Sequence, residues 1–138
     1  MKTLTLLELE KFLNVNSNLA YESLDNETIK DNKIEGLQYS GCKITGSTYN
    51  HVIFENCDFY GCQFNKTEFI DCIFINCKFN FTHMQKCNFE SCQFEGTALV
   101  CSTFKKCSLQ ACDLDQTLSE HFGEEEASFH YLDLALAA

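Results

Sequence analysis

The chain has 138 residues, a length that suits one domain of ordinary size, and 45% of them are apolar, enough for a packed core. Ten Cys, 13 Phe and no Pro stand out, since average usage would give about 7 Pro. The basic residues are ten Lys with no Arg, against 20 Asp and Glu, for a net charge of -10. That balance argues against a direct nucleic-acid binder, which must set cations against phosphate.

The N-terminal segment MKTLTLLELEKFLNV has Glu8 and Glu10 inside its apolar stretch, and it lacks both an uninterrupted apolar run and a small-residue cleavage site. No run approaches the roughly 18 apolar residues of a membrane span. A soluble, cytoplasmic protein with reduced thiols is expected. Residues 4–14 read as a helix with Leu6, Leu9 and Leu13 on one face, and Thr5-Leu6-Leu7-Glu8 reads as a capping box. Residues 1–31 are therefore read as a helical cap and lead-in segment, closing the open end that any repeat core exposes.

From Ile34 every fifth residue is large and apolar, through Tyr39, Ile44, Tyr49, Phe54, Phe59 and onward to Leu109 and Leu114, which is 17 positions without a miss. The residue two before the centre is small from Cys57 through Thr117, with Cys42 and Ser47 upstream, and nine of the ten Cys fall there, Cys101 alone being out of register. The residue two after each centre collects Gly36, Gly41, Gly46, Gly61 and Gly96, with Asn56 and Asn76, types that tolerate positive φ. A period of five suits no helix, because five residues advance about 500° around one. It suits no straight strand either, because an odd period alternates faces. The pattern closes only if the chain turns a corner in every repeat, giving a solenoid of very short strands. The lack of Pro fits a backbone whose N–H groups are needed in a ladder between coils.

The units CDFYG, CQFNK, TEFID, CIFIN, CKFNF, CNFES, CQFEG and CDLDQ resemble the pentapeptide-repeat family, whose usual unit is A(D/N)LXX. Phe replaces Leu at the centre and Cys or Thr replaces Ala before it, as in the branch that resembles the quinolone-resistance proteins. The resemblance spans about residues 32–117. It implies an all-β fold, a right-handed quadrilateral β-helix of slightly more than four coils, with short helical caps at one or both ends. After Thr117 the register loses its apolar centre. Gly123 then precedes Glu124-Glu125-Glu126, an acidic first turn, and 124–137 reads as a helix within a terminal segment 118–138. That helix either caps the other end or, as the resemblance implies, makes a homodimer.

Four repeats per coil stack residues 20 apart. The first face is centred on Phe54, Phe74 and Phe94, and carries Glu35, Glu55, Glu95, Ile53, Ile73 and Ile75. The second, centred on Phe59, Phe79 and Leu99, carries Tyr60, Phe81 and Val100. The third, centred on Phe64, Met84 and Phe104, carries Lys43, Lys66, Lys86, Lys105, Lys106 and His83. The fourth, centred on Phe69, Phe89 and Leu109, carries Glu68, Asp71 and Glu90. Ile53, Ile73, Ile75, Tyr60 and Phe81 thus form an expected apolar strip, either a partner interface or ground covered by a terminus.

No catalytic, cofactor or metal site is expected. The recurring Cys-x4-Cys spacing differs from zinc knuckles, and the buried thiols read as small apolar filler. None of the four His falls in a nucleophile or metal motif, and no Gly-rich phosphate loop is present. Two functions stand. One is a non-enzymatic, rigid protein-interaction module with an unidentified protein partner. The other, implied by the resemblance, is an acidic DNA mimic that binds and protects DNA gyrase, a type II topoisomerase, and would use Glu55, Glu68, Asp71, Glu90 and Glu95. Charge by segment weighs against the second: residues 32–117 hold 7 Lys against 9 acids, whereas residues 118–138 hold 5 acids and no Lys.

Overall fold

Each five-residue unit builds a short strand whose central side chain points inward, then a corner. In strands such as Ile53–Glu55 and Lys78–Asn80 the centre is buried and both flanks are more exposed. The computed structural model describes residues 2–11 and 17–114. The corner residue, two after each centre, holds a left-handed backbone throughout, whether it is Gly41 (φ 61°), Asn76 (φ 51°) or Lys86 (φ 56°). Its N–H still donates to the next coil, as from Gly41 to the Tyr60 carbonyl at 2.8 Å. The ladder therefore runs without interruption around the corners, and Pro could not occupy most of these positions.

The strands stack in four parallel sheets. The first face contains Lys33–Glu35, Ile53–Glu55, Ile73–Ile75, Gln93–Glu95 and Asp113–Leu114. Pairing across every sheet is offset by 20 residues, for example Phe54 with Phe74 and Phe74 with Phe94. The result is an all-β quadrilateral solenoid. Three sheets hold five strands and the third face holds six, so the body has about five coils.

The coils begin at Ser17–Ala20, upstream of the expected start at residue 32. Leu19, Leu24 and Ile29 keep the five-residue register and are buried. The inward positions before Leu24, Ile29 and Ile34 hold Glu22, Glu27 and Asn32 instead of Cys, Thr or Ser. These polar residues disguise the first coil. They sit at the capped end of the stack, where Glu22 and Glu27 stay partly exposed, although Glu22 Oε2 is buried without a hydrogen-bond partner among the described residues.

A helix closes that end. It spans Leu6–Glu10, shorter than the expected 4–14, and the Thr5–Glu8 capping box is formed in both directions. Thr5 accepts from the Glu8 N–H at 3.2 Å. Leu9 is buried and Leu6 partly so, while Leu7 faces water. Leu4 and Leu9 pack over Leu19, Leu24, Tyr39 and Ile44. Ahead of the helix, Lys2–Thr3 pairs with Glu22–Ser23 and adds the sixth strand to the third face. Leu13, the expected 124–137 helix and the homodimer it would make all lie outside the described residues. Among the described residues no helix is long and apolar enough to cross a membrane.

The core is a set of aromatic columns. Phe54, Phe74 and Phe94 stack with centroids 4.8 Å apart and nearly parallel planes. Phe69 and Phe89 stand 4.7 Å apart in the same way. Each separation matches the roughly 4.8 Å strand spacing, so the rings ride on the backbone ladder. Rings on neighbouring faces meet at a steep tilt, as Phe59 and Phe64 do at 64°, which suits the edge-to-face preference of aromatic pairs.

The small inward position does more than fill space. Cys57 Sγ donates to the Ile34 carbonyl at 3.3 Å, and Cys92 Sγ to that of Phe69 at 3.2 Å. Thr82 Oγ1 and Ser102 Oγ make the same contact to Phe59 and Phe79 at 3.0 and 2.8 Å. Cys, Thr and Ser share a small donor that Ala lacks. The thiols therefore add hydrogen bonds between coils, beyond the apolar filler expected of them.

Candidate partner-binding surface

The corners form four columns. The second-to-third corner holds Tyr21, Gly41, Gly61, Phe81 and Cys101, and the third-to-fourth holds Asn26, Gly46, Lys66, Lys86 and Lys106. The fourth-to-first holds Asp31, His51, Asp71, Ser91 and Ala111, and the first-to-second holds Gly36, Asn56, Asn76 and Gly96. In this last column a Cβ at Gly96 would collide with Asn76 Oδ1, so one coil's side chain covers the next coil's glycine.

The expected apolar strip divides in two. Ile53 and Ile73 pair in register at the start of first-face strands, beside the Asp31–His51–Asp71 corner, and are only half-exposed. Ile75, at the other end of its strand, lies in register with Glu55 and Glu95. Tyr60 and Phe81 lie beyond a further corner and a whole face. The strip breaks because residues before and after a strand's centre sit at opposite edges of its face. The described N-terminal residues cap the coil end and leave both parts uncovered.

Tyr60 ends a second-face strand and meets Phe81 edge to face, with centroids 5.7 Å apart at 65°. Both are exposed, at 57% and 50%, and Val100 joins them at 45%. Tyr21, exposed at 71%, belongs to the same corner column. Its ring lies over Gly41, where a Cβ would come within 2.7 Å of it, whereas the space at Gly61 is open. The column therefore presents two aromatic rings with a glycine gap between them. Reading residues 1–31 as a lead-in hid Tyr21. Its signal was a position two after Leu19 and 60 before Phe81.

The carboxylates are spread over two faces. Glu68 starts and Glu90 ends a fourth-face strand, Asp71 occupies the next corner, and Glu95 ends a first-face strand, all exposed. Glu55 is partly buried and paired with Lys33 at 2.8 Å, and Glu35 meets the same ammonium at 3.7 Å. These two carboxylates, Glu55 foremost, raise the Lys33 pKa. His51 Nδ1 lies 3.1 Å from Asp31 Oδ1 in the open.

Hydrogen bonding between thiols one coil apart shifts the two members of each pair in opposite directions: Cys62, Cys77, Cys87 and Cys92 upward, with burial adding to it, and Cys42 (to about 7), Cys57, Cys72 and Cys107 downward. Cys101 is exposed at the aromatic corner, as its out-of-register position led one to expect. Among the described residues no group of His, Cys, Asp and Glu could hold a metal ion.

A stack of parallel three-residue strands with left-handed corners defines the class of repeat solenoids. Within it, the sequence matches the family model of the pentapeptide repeat region over residues 47–117, just over half its length, and the chain belongs to that family. Among solved structures it resembles the pentapeptide repeat protein Rfr23 from the cyanobacterium Cyanothece 51142. Identity there is 14%, covering 80% of this chain and 93% of that one, with a TM-score of 0.51. QnrB1, a plasmid-mediated fluoroquinolone resistance protein, shares 12% identity over 85% of this chain and 90% of its own, with a TM-score of 0.37. HetL, from Nostoc sp. strain PCC 7120 and involved in heterocyst differentiation regulation, shares 11% over 79% and 51%, with a TM-score of 0.32. No curated protein matches the sequence.

Proposed function

We propose that the chain is a non-enzymatic, rigid protein-binding module whose working surface includes the Tyr21–Tyr60–Phe81 corner. Phe81 carries the reading. It holds φ 50° in a column where two other members are Gly, and half of it stays in water. A bulky residue in the left-handed region costs backbone energy, on the order of 1–2 kcal/mol. At half exposure the ring gives the fold no net gain over that cost, whereas interfaces concentrate their binding energy in such rings. The test is capture from cell lysate on immobilised wild-type chain and on Phe81→Asn. A protein bound by the first and lost by the second supports the reading. Identical captures, or none, refute it.

The duplex-mimic reading against DNA gyrase draws its support from Glu55 and Glu95 on the first face and from Glu68, Asp71 and Glu90 on and beside the fourth. It is the weaker reading, because Ile75 stands between Glu55 and Glu95 on the first face and Lys33, paired with Glu55 and near Glu35, offsets one of the charges there. Absence of any effect in a gyrase supercoiling assay, with and without a fluoroquinolone, removes it.

A further inference from the structure

Charge on this acidic chain is sorted by face. From the second coil on, the third face and its two bordering corners comprise residues 41–46, 61–66, 81–86 and 101–106. This stretch holds Lys43, Lys66, Lys86, Lys105 and Lys106, half of all the lysines, and no carboxylate; Glu22 and Asp25 lie on the same face one coil below it. Lys66, Lys86 and Lys106 succeed one another along a single corner, at the roughly 4.8 Å coil spacing. Among the described residues Lys43, Lys66, Lys86 and Lys105 form no ion pair, in contrast to Lys33 on the first face.

The face is also shaped. A shallow concavity of about 510 Å³ runs across it, edged by Lys43 and Lys105 and floored by polar side chains including Gln63, Asn65, His83 and Gln85. Asn65 Oδ1 and Thr45 Oγ1, in register on adjacent strands, are buried without a hydrogen-bond partner among the described residues. One edge is the lysine corner and the other is the corner of Tyr21 and Phe81. Lys66, Lys86, Lys105 and Lys106 along one side, amides in the middle and aromatic rings, with Lys43, along the other match an extended polypeptide with carboxylates on one flank and apolar side chains on the other.

We propose that the third face is a docking groove for an acidic polypeptide segment of a partner protein. This rests on the protein-binding reading above and names its partner's chemistry. Two observations favour a polypeptide over a nucleic acid. The lysine-bearing stretch spans only four coils, about 15 Å between the first and the last. Glu22 and Asp25 stand on the same face at one end of it, so a long polyanion running past that end meets like charge within a Debye length. The chain also lacks Arg, whose planar fork suits phosphate.

The experiment is fluorescence anisotropy with the full chain and a labelled poly-glutamate peptide of about 6 residues, about 20 Å when extended, titrated at about 0.02 M and 0.2 M salt. The variants are Lys66→Asn with Lys86→Asn, since Asn occupies left-handed corners elsewhere in this fold, and Lys78→Gln on the second face as control. Thermal melts confirm that each variant is folded. Binding that weakens at least about tenfold at the higher salt, and at least about fivefold in the corner variant but not in Lys78→Gln, is expected. Three results overturn the proposal: no binding, equal loss in both variants, or an oligo-dT of about 6 nucleotides, matched to the peptide in charge, bound more tightly than the peptide. If the peptide fails while Phe81-dependent capture persists, the docking groove falls and the protein-binding module stands.

Discussion

Replacing Phe81 with Asn separates what this residue does for the fold from what it does for a partner. With half of its surface covered, Phe81 contributes about 1 kcal/mol of burial, taken as half of the 1.5–3 kcal/mol for a fully buried large apolar side chain. Its edge contact with Tyr60 adds about 0.5–1 kcal/mol. Against this, an aromatic side chain at φ 50° carries a left-handed penalty of about 1–2 kcal/mol, much of which Asn avoids. The opposing effects nearly cancel, so unfolding free energy should change by less than about 1 kcal/mol. Urea denaturation followed by far-UV circular dichroism measures it, and the same variant should lose the captured partner. A loss above about 3 kcal/mol would make Phe81 a structural residue and refute the reasoning that assigns it to a surface.

Phe74 supplies the opposite case. It lies between Phe54 and Phe94 with both centroids at 4.8 Å, and Phe74→Ala should cost about 3–5 kcal/mol in urea denaturation; a cost below about 1 kcal/mol would show that the coils cohere through the backbone ladder alone. Tyr39 is buried with its hydroxyl unpartnered among the described residues, so Tyr39→Phe should stabilise by about 1 kcal/mol; destabilisation by thermal melting would reveal a partner for that oxygen. Burial raises the pKa of Tyr39 and Tyr49 from the ordinary value of 10.0. The unfolded chain then releases these protons before the folded one does, so the stabilisation is complete below about pH 10 and declines above it by up to about 1.4 kcal/mol per pH unit for each ring. Denaturation midpoints from about pH 8 to 11 should fall accordingly, and less steeply in Tyr49→Phe; an equal slope in that variant contradicts the assignment.

Much of this architecture is visible in the residues themselves, because a five-residue register admits few shapes. From Ile34 to Leu109 each apolar centre is buried, and each corner proposed from Gly or Asn has positive φ. The first coil was harder to see, since Glu22, Glu27 and Asn32 occupy inward positions that the end of a stack tolerates and its middle does not. The donor role of the small residues was hidden as well. Cys, Ser and Thr read as matters of size until the structure set them against carbonyls two residues back and one coil away. The surface was least legible, because face assignment alone does not say which edge of a face a residue occupies. Ile73 and Tyr60 accordingly looked like neighbours, although a corner and a face separate them, and Tyr21 was overlooked.

The most direct test places a photo-crosslinking phenylalanine at one residue of each corner column, positions 81, 66, 71 and 76, in the full chain expressed in cells. The account predicts a partner adduct from 81 and 66, which flank the third face, and none from 71 or 76. Adducts at 71 or 76, with positions 81 and 66 silent, would contradict it and move the working surface to the acidic side.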